Sequence, residues 1–437
     1  MELGKIKGYG ELLTAFRSKD KDSSGFIEKN EETDVPKLDM DGDGKLSLWE
    51  VMAAANKKTG KKTFSDQAIK LAKESLLITP HLSPASLARF ILLIESSHAT
   101  KREIAKAYQA LDKVAAKARS VEFTGEPFTK LDGLSRLITG ELGFGVIDEV
   151  GSTRTFAAQL AAGQMDQKGM SWLLVTIGRE LGWPVTPAAY TPYAYFVKWE
   201  AGPMSVNFEM ACSQGTRDVP QRCENITPLD VTLISGFHLS QQSVDNRVYL
   251  AGLTEVEVLG TVYDNLATTT LSSGNCDDLA CKDRVLQTAD RALTYRQPDI
   301  AALMARAVAW FPGANEEIKQ MNGAAGNANG WNRMINIKKE VDKIARLDPN
   351  NFDIDLFAAK VYAYGFIDHK AADARLRQVE EKLNKVEGVR AEGKEGYLQQ
   401  VQELRGYMAA HKRDCKEHVP DAQEIKARAA WGLKKWN

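Results

Sequence analysis

The 437 residues lack any apolar run that could cross a bilayer. Stretches such as Phe90 to Ile94 and Trp172 to Val175 hold four or five residues, where about twenty are needed. A charge excess is missing too. Lysine plus arginine (57) nearly cancels aspartate plus glutamate (58), which argues against the broadly basic surface that nucleic acid or an acidic membrane demands. Cysteine is scarce, with five residues in the chain. Cys212 and Cys223 flank the polar segment SQGTRDVPQR, Cys276 and Cys281 flank DDLA, and Cys415 is left over. Two local pairs fit small disulfide-closed loops in an exported protein; the same cysteines as free thiols fit a cytosolic chain. The first ten residues, MELGKIKGYG, have no apolar signal-peptide segment, so the expectation is either a mature start or a cytoplasmic protein. At about 150 residues per domain, the length suggests roughly three domains.

What is present is unevenly spread. Residues 1–50 hold twelve acidic and eight basic side chains, and the acids recur at fixed spacing. A twelve-residue calcium loop needs oxygen donors at positions 1, 3, 5, 9 and 12, a main-chain carbonyl at 7 and a turn glycine at 6. From Asp39 the chain reads DMDGDGKLSLWE. Asp39, Asp41 and Asp43 fill positions 1, 3 and 5, Gly44 makes the turn, Lys45 offers its carbonyl, Ser47 stands at 9 and Glu50 closes. From Asp20 it reads DKDSSGFIEKNE, with Asp20, Asp22 and Ser24 at 1, 3 and 5, Gly25 turning, Phe26 lending its carbonyl, Glu28 at 9 and Glu31 at 12. Ile27 and Leu46, each at position 8, are the apolar residues that pair one loop with another. Both loops resemble the EF-hand family, which implies two bound Ca2+ ions. Only seven residues, Glu32 to Leu38, separate them, and Pro36 is among them. Two full helices cannot fit there, so a tight structural or buffering pair is expected rather than a switch that opens a four-helix groove.

Residues 56–66, within NKKTGKKTFSD, are polar and mark a boundary. Helical periodicity follows over Gln67–Leu77, Ser86–Ser96 and Ala105–Ala118, with the proline-punctuated turn TPHLSPAS between the first two. Thr186–Trp199 and Met204–Met210, rich in tyrosine, phenylalanine and valine, read as strands. From Leu250 onward the pattern is helical. Ala372, Leu376, Val379, Leu383 and Val386 alternate spacings of four and three, and Tyr397, Val401, Leu404 and Met408 do the same beyond the loop GVRAEGKEG. Two antiparallel helices sharing one seam account for both runs. This region bears a weak resemblance to tetratricopeptide arrays. His411, Cys415 and His418 continue that helical face, where packing explains them better than zinc or copper ligation.

The stretch GELGFGVIDEVGSTRTFAAQLAAGQMDQKGMSWLLVTIGRELGWPVTPAAYTPYAYFVKW resembles the transglutaminase-like, papain-related superfamily, and is most similar to bacterial members that precede helical repeats. The resemblance spans about residues 130–300. The frame residues Lys168, Gly169, Leu181, Gly182, Pro184, Val185, Pro192, Phe196, Val197 and Lys198 are in place. The family's cysteine nucleophile falls on Ser171, its histidine base on Ala194, and the residue that orients the base on Asn207. A serine hydroxyl needs a base within hydrogen-bond reach, and alanine cannot be one. Relocated chemistry, through Cys212 with His238 or through Tyr193 or Tyr195, is the lesser alternative.

The reading is an α+β, mostly helical protein in three parts: a tight EF-hand pair over 1–60, a helical lead-in and transglutaminase-like domain over 61–262, and helical hairpins or repeats over 263–437. The expected function is a calcium-binding, non-catalytic scaffold or protein-binding module outside the cytoplasm. It would meet a protein partner through the helical C-terminal region or the central cleft, with no nucleic acid and no membrane span. The alternative is a calcium-dependent hydrolase or amidase with an altered nucleophile.

Overall fold

The computed structural model of the chain describes residues 1–147, 154–189, 195–201, 204–208, 240–272, 276, 279–319, 327–366, 368–385 and 391–410. They are mostly helical with a few small sheets. No helix among them is long and apolar enough to cross a membrane. The chain divides into two units, one of residues 1–225, 251–269 and 291–297, the other of 226–250, 270–290 and 298–437.

The first unit begins with α1 (Tyr9–Lys19), whose Leu12, Leu13 and Phe16 are buried along one face. The two acidic segments follow, joined by the two-residue strands β1 (Ile27–Glu28) and β2 (Lys45–Leu46). These pair antiparallel with Ile27 opposite Leu46. Between them the chain makes one helical turn, α2 (Val35–Leu38), with proline in its first turn, where a missing N–H does no harm. α3 (Leu48–Thr59) opens on a reciprocal Ser47–Glu50 capping box and ends on Gly60 at φ 65°.

Four helices come next: α4 (Asp66–Ile78), α5 (Leu87–Glu95), α6 (Lys101–Arg119) and α7 (Pro127–Arg136). Arg89 of α5, only 2% exposed, closes the α4–α5 turn. Its guanidinium donates to the carbonyls of Ser83, Thr79 and Leu82 and to the hydroxyls of Ser75 and Thr79. A buried charge is tolerable only with such complete satisfaction. Beyond the short parallel pair of β3 (Gly145–Val146) with β4 (Gln164–Met165), α8 (Phe156–Ala162) and α9 (Gln167–Glu180) lead into a three-stranded antiparallel sheet. Its strands are β5 (Val185–Ala189), β6 (Tyr195–Ala201) and β7 (Met204–Phe208). The strand-like stretch Thr186–Trp199 is thus two strands paired with each other, Val185 opposite Trp199 and Ala189 opposite Tyr195. α9 packs against β5 and β6, and Met170 through Ile177 along it are all buried.

α10 (Gln241–Asp245) lies in the second unit. The long helices α11 (Glu255–Ser272) and α12 (Leu279–Tyr295) each contribute residues to both units. Cys276 and Cys281 are bonded, with Cα atoms 5.2 Å apart. The second unit continues through α13 (Ile300–Lys319), α14 (Asn327–Leu347) and α15 (Phe352–Lys360), which extends as a wider turn over Val361–Phe366. It ends in α16 (His369–Lys385) and α17 (Ala391–Ala410). Ala372, Leu376, Val379 and Leu383 of α16 share one core with Val401, Leu404 and Met408 of α17 and with Phe352, Leu356 and Ala359 of α15, and Tyr397 packs against it. The alternating seam therefore buries a helical hairpin on a third helix. Val386, His411, Cys415 and His418 lie outside the described residues, as do Cys212, Cys223 and His238.

Candidate functional site

The two acidic segments are folded by their own main chain. In the first, Asp20 Oδ2 accepts the N–H of Gly25 at 2.9 Å, and Asp22 Oδ1 accepts that of Ser24 at 3.0 Å. Gly25 takes φ +85°, a left-handed value that a side chain would strain. Glu31 ties the ends together: Oε1 accepts from Lys21 N at 2.6 Å and Oε2 from Glu28 N at 2.9 Å. Carboxylate oxygens of Asp20, Asp22 and Glu31 all lie within 4.8 Å of one another. Asp20 is 3% exposed, and its Oδ1 is buried with no hydrogen-bond partner among the described residues. Burial pushes the Asp20 carboxyl up from its ordinary value, while bonds from Ser24 hold the exposed Asp22 down. Ser24 donates Oγ to the Phe26 carbonyl at 3.2 Å. Glu28 pairs with Lys45 Nζ at 2.7 Å across the β1–β2 ladder.

The second segment repeats the pattern. Asp39 accepts from Gly42 N at 2.6 Å and Gly44 N at 2.9 Å, and Asp43 Oδ1 from Lys45 N at 2.8 Å. Asp39, Asp41 and Asp43 bring carboxylate oxygens within 4.8 Å of one another. Glu50 stands outside that group. Its Oε1 accepts from Met40 N at 2.7 Å, and its Oε2 from both N and Oγ of Ser47 at 2.8 Å. Three converging carboxylates per segment, with one bare buried oxygen in the first, form a hard-oxygen donor set suited to a divalent cation such as Ca2+.

The central residues are held differently. Ser171, on the second turn of α9, is buried, and its Oγ donates to the carbonyl of Tyr195 at 2.9 Å. Asn207 of β7 is buried opposite Lys198 of β6, and its Oδ1 has no hydrogen-bond partner among the described residues. Ala194 and Tyr193 lie outside the described residues. Tyr195 accepts from Arg296 Nη1 at its hydroxyl, 3.1 Å away. One turn before Ser171, Lys168 is buried between aromatic rings, 5.3 Å from the Tyr195 centroid and 5.8 Å from that of Trp172. Its Nζ lies 3.4 Å from Asn265 Oδ1 and 3.8 Å from Asp264 Oδ1. Lys168 was expected as a frame residue of the resemblance, but its polar partners stand nearly a hundred residues downstream, where no local pattern points to them.

A second buried acid went unsignalled in the sequence. Glu95, at the end of α5, is fully buried and accepts the N–H groups of Phe156 at 2.9 Å and Ala157 at 2.8 Å, the open first turn of α8. Burial raises its pKa to about 7 against the pull of those N–H groups.

Comparison of the chain with family models, with curated proteins and with solved structures found no match.

Proposed function

We propose that the protein is a calcium-binding scaffold, with two Ca2+ ions held by EF-hand-like loops and a transglutaminase-like central domain that performs no catalysis. The observation that carries the calcium reading is the bare, buried Asp20 Oδ1 beside the carboxylates of Asp22 and Glu31. A carboxylate oxygen taken from water without a partner is unfavourable, and a cation at that point would relieve it. Asp20, Asp22, Ser24, Phe26, Glu28 and Glu31 would serve one ion; Asp39, Asp41, Asp43, Lys45, Ser47 and Glu50 the other. Ions there would neutralise the acidic head and fix the β1–β2 ladder. Glu28 and Glu50 would exchange their present partners for the metal.

The non-catalytic reading is supported by Ser171, whose hydroxyl proton points to a main-chain carbonyl rather than to a base. The Cys276–Cys281 bond supports an oxidising location outside the cytoplasm, where calcium is abundant. The second unit, a stack of helices, would offer a protein partner its surface.

Isothermal titration of the full chain tests the calcium reading. Wild type is expected to bind two equivalents, and the Asp20→Ala, Asp39→Ala double variant none. Wild-type protein that takes up no calcium ends it. Hydrolysis of amide substrates that is abolished in Ser171→Ala would instead establish the hydrolase alternative.

A further inference from the structure

A cavity of about 630 Å3 lies in the first unit, apart from the carboxylates of both loops and from Ser171. Its size is that of a small-molecule site. Three stretches line most of it: residues of the first acidic loop, the turn that leads into α5, and the C-terminal part of α9. Arg17, Arg119 and Arg179 face Glu180 and Glu255 there, one more cation than anion. Arg179 is fixed by the Val185 carbonyl at 2.9 Å and Glu255 at 2.6 Å. Arg17 gives Nη2 to the Ala85 carbonyl at 2.9 Å and stands 3.5 Å from Glu255, and Arg119 pairs with Glu180 at 2.8 Å, but both keep donors toward solvent, with side chains 31% and 43% exposed.

Two hydroxyls lift this cavity above an ordinary polar crevice. Ser86 is the N-cap of α5, where a serine side chain normally accepts an N–H of the first turn. Here it makes no cap bond, and its Oγ, in a residue 1% exposed, has no hydrogen-bond partner among the described residues. Thr176 sits inside α9, where threonine often bonds back to the carbonyl four residues earlier, as Thr59, Thr139 and Thr268 do. Its Oγ1, also in a residue 1% exposed, likewise has no hydrogen-bond partner among the described residues. Both residues line the cavity. Beside Ser86 is the N-terminus of α5, a nine-residue helix whose first N–H groups carry the positive end of its dipole.

Unpaired donors, a helix N-terminus and two part-exposed guanidiniums in one cavity all favour negative oxygen. We propose that the cavity binds the oxyanion group of a small molecule, a carboxylate or a phosphate. Arg17 and Arg119 clamp the anion, and Ser86 and Thr176 donate their hydroxyls to it. Leu82, Pro84 and Leu87 receive the carbon part of the ligand. Ser24 and Phe26, proposed ligands of the first calcium ion, form part of the cavity wall, but the groups that would hold the anion are not calcium ligands.

The test is calorimetric titration of the full chain, in low-salt buffer, with inorganic phosphate and separately with succinate, which distinguishes the two oxyanion sources. At least one is expected to bind. A hydrogen bond to a charged group is worth roughly ten- to a hundredfold in affinity, so Arg119→Gln and Ser86→Ala should each weaken that binding by about tenfold or more. Because the Ser86 hydroxyl caps nothing, Ser86→Ala should leave the ligand-free Tm unchanged. Failure of both probes to bind overturns the proposal. So does binding that survives both substitutions unaltered, or a Ser86→Ala protein that loses stability without ligand and keeps full affinity.

Discussion

Neutralising the second acidic loop should change stability in opposite directions with and without calcium. In Asp41 and Asp43 the main chain engages Oδ1, through Asp43 N at 3.4 Å and Lys45 N at 2.8 Å. Asparagine keeps that acceptor while removing the charge. The carboxylate oxygens of Asp39, Asp41 and Asp43 lie within 4.8 Å of one another, a separation at which two unit charges repel by about 1 kcal/mol in water. Both substituted residues are exposed, so salt screens the repulsion, and the Asp41→Asn, Asp43→Asn protein should gain roughly 1 kcal/mol in EDTA. For a unit of a few hundred residues that is a Tm rise of about 2–4 °C. Calcium reverses the ranking. At a hundredfold excess over its Kd a ligand adds about 2.7 kcal/mol to the wild type, and the variant, with two of its four charged ligands gone, forgoes most of it. Differential scanning calorimetry in EDTA and in millimolar calcium reads both signs. If the loop were only a solvated acidic turn, the variant's gain would be the same in both buffers, and that result would refute the reasoning.

Three other perturbations follow from the first unit. Glu95 has its folded pKa raised from 4.5 to about 7, so the folded state holds the extra proton between those values. Its contribution is full below about pH 4.5 and is lost as pH rises to about 7, a change of about 3 kcal/mol; urea titrations across that range should show Glu95→Gln flattening the profile, and an unchanged slope would contradict the assignment. Arg89→Met strands three main-chain carbonyls and two hydroxyls in the α4–α5 turn, and should cost about 3 kcal/mol or more in the urea midpoint. Gly25→Ala places a Cβ 2.5 Å from both Pro84 Cδ and Ser83 Oγ at φ +85°, whereas Gly44→Ala meets nothing within 4 Å at φ +84°. Backbone strain alone costs about 1–3 kcal/mol, so the Gly25 variant should unfold at clearly lower urea than the Gly44 variant; equal losses would contradict the packing of the first loop on the Ser83–Pro84 turn.

The acidic loops were legible because each is local. Turn glycine, acids and the closing glutamate fall within twelve residues, so their spacing alone anticipates the Ile27–Leu46 pairing and the convergence of Asp39, Asp41 and Asp43. The α16–α17 seam was legible for the same reason: alternating spacings of four and three place Leu376, Val379 and Leu383 on one face of a helix. Contacts between distant residues were not. A run of tyrosine, phenylalanine and valine marks extended chain, but its division into β5 and β6 depends on which strand pairs with which. Glu95 meets the α8 N-terminus across sixty residues, and the oxyanion cavity draws on residues from Arg17 to Glu255. Ser86 is the sharpest case: the periodicity places it at the start of a helix, but nothing in it tells that its hydroxyl makes no cap bond.

The proposed scaffold role also rests on how α9 is held. In a cysteine-type hydrolase the helix N-terminus must leave its nucleophile and main-chain N–H groups free to meet substrate. Here Asp166 accepts from Gly169 N at 2.6 Å and is bonded by Gln159, Lys168 is wedged between two rings and faces Asp264, and Ser171 is bound to the Tyr195 carbonyl. At the other end Arg179 shares Glu255 with Arg17 of α1, three residues before Asp20. α9 is therefore fastened at its start, along its length and at its finish, the last time to the helix that leads into the first acidic loop. Polar groups so committed stiffen the unit, which is in keeping with the proposed non-catalytic role. In such a frame, calcium at the first loop would act through α1 on the rigidity of α9 rather than on a reacting atom.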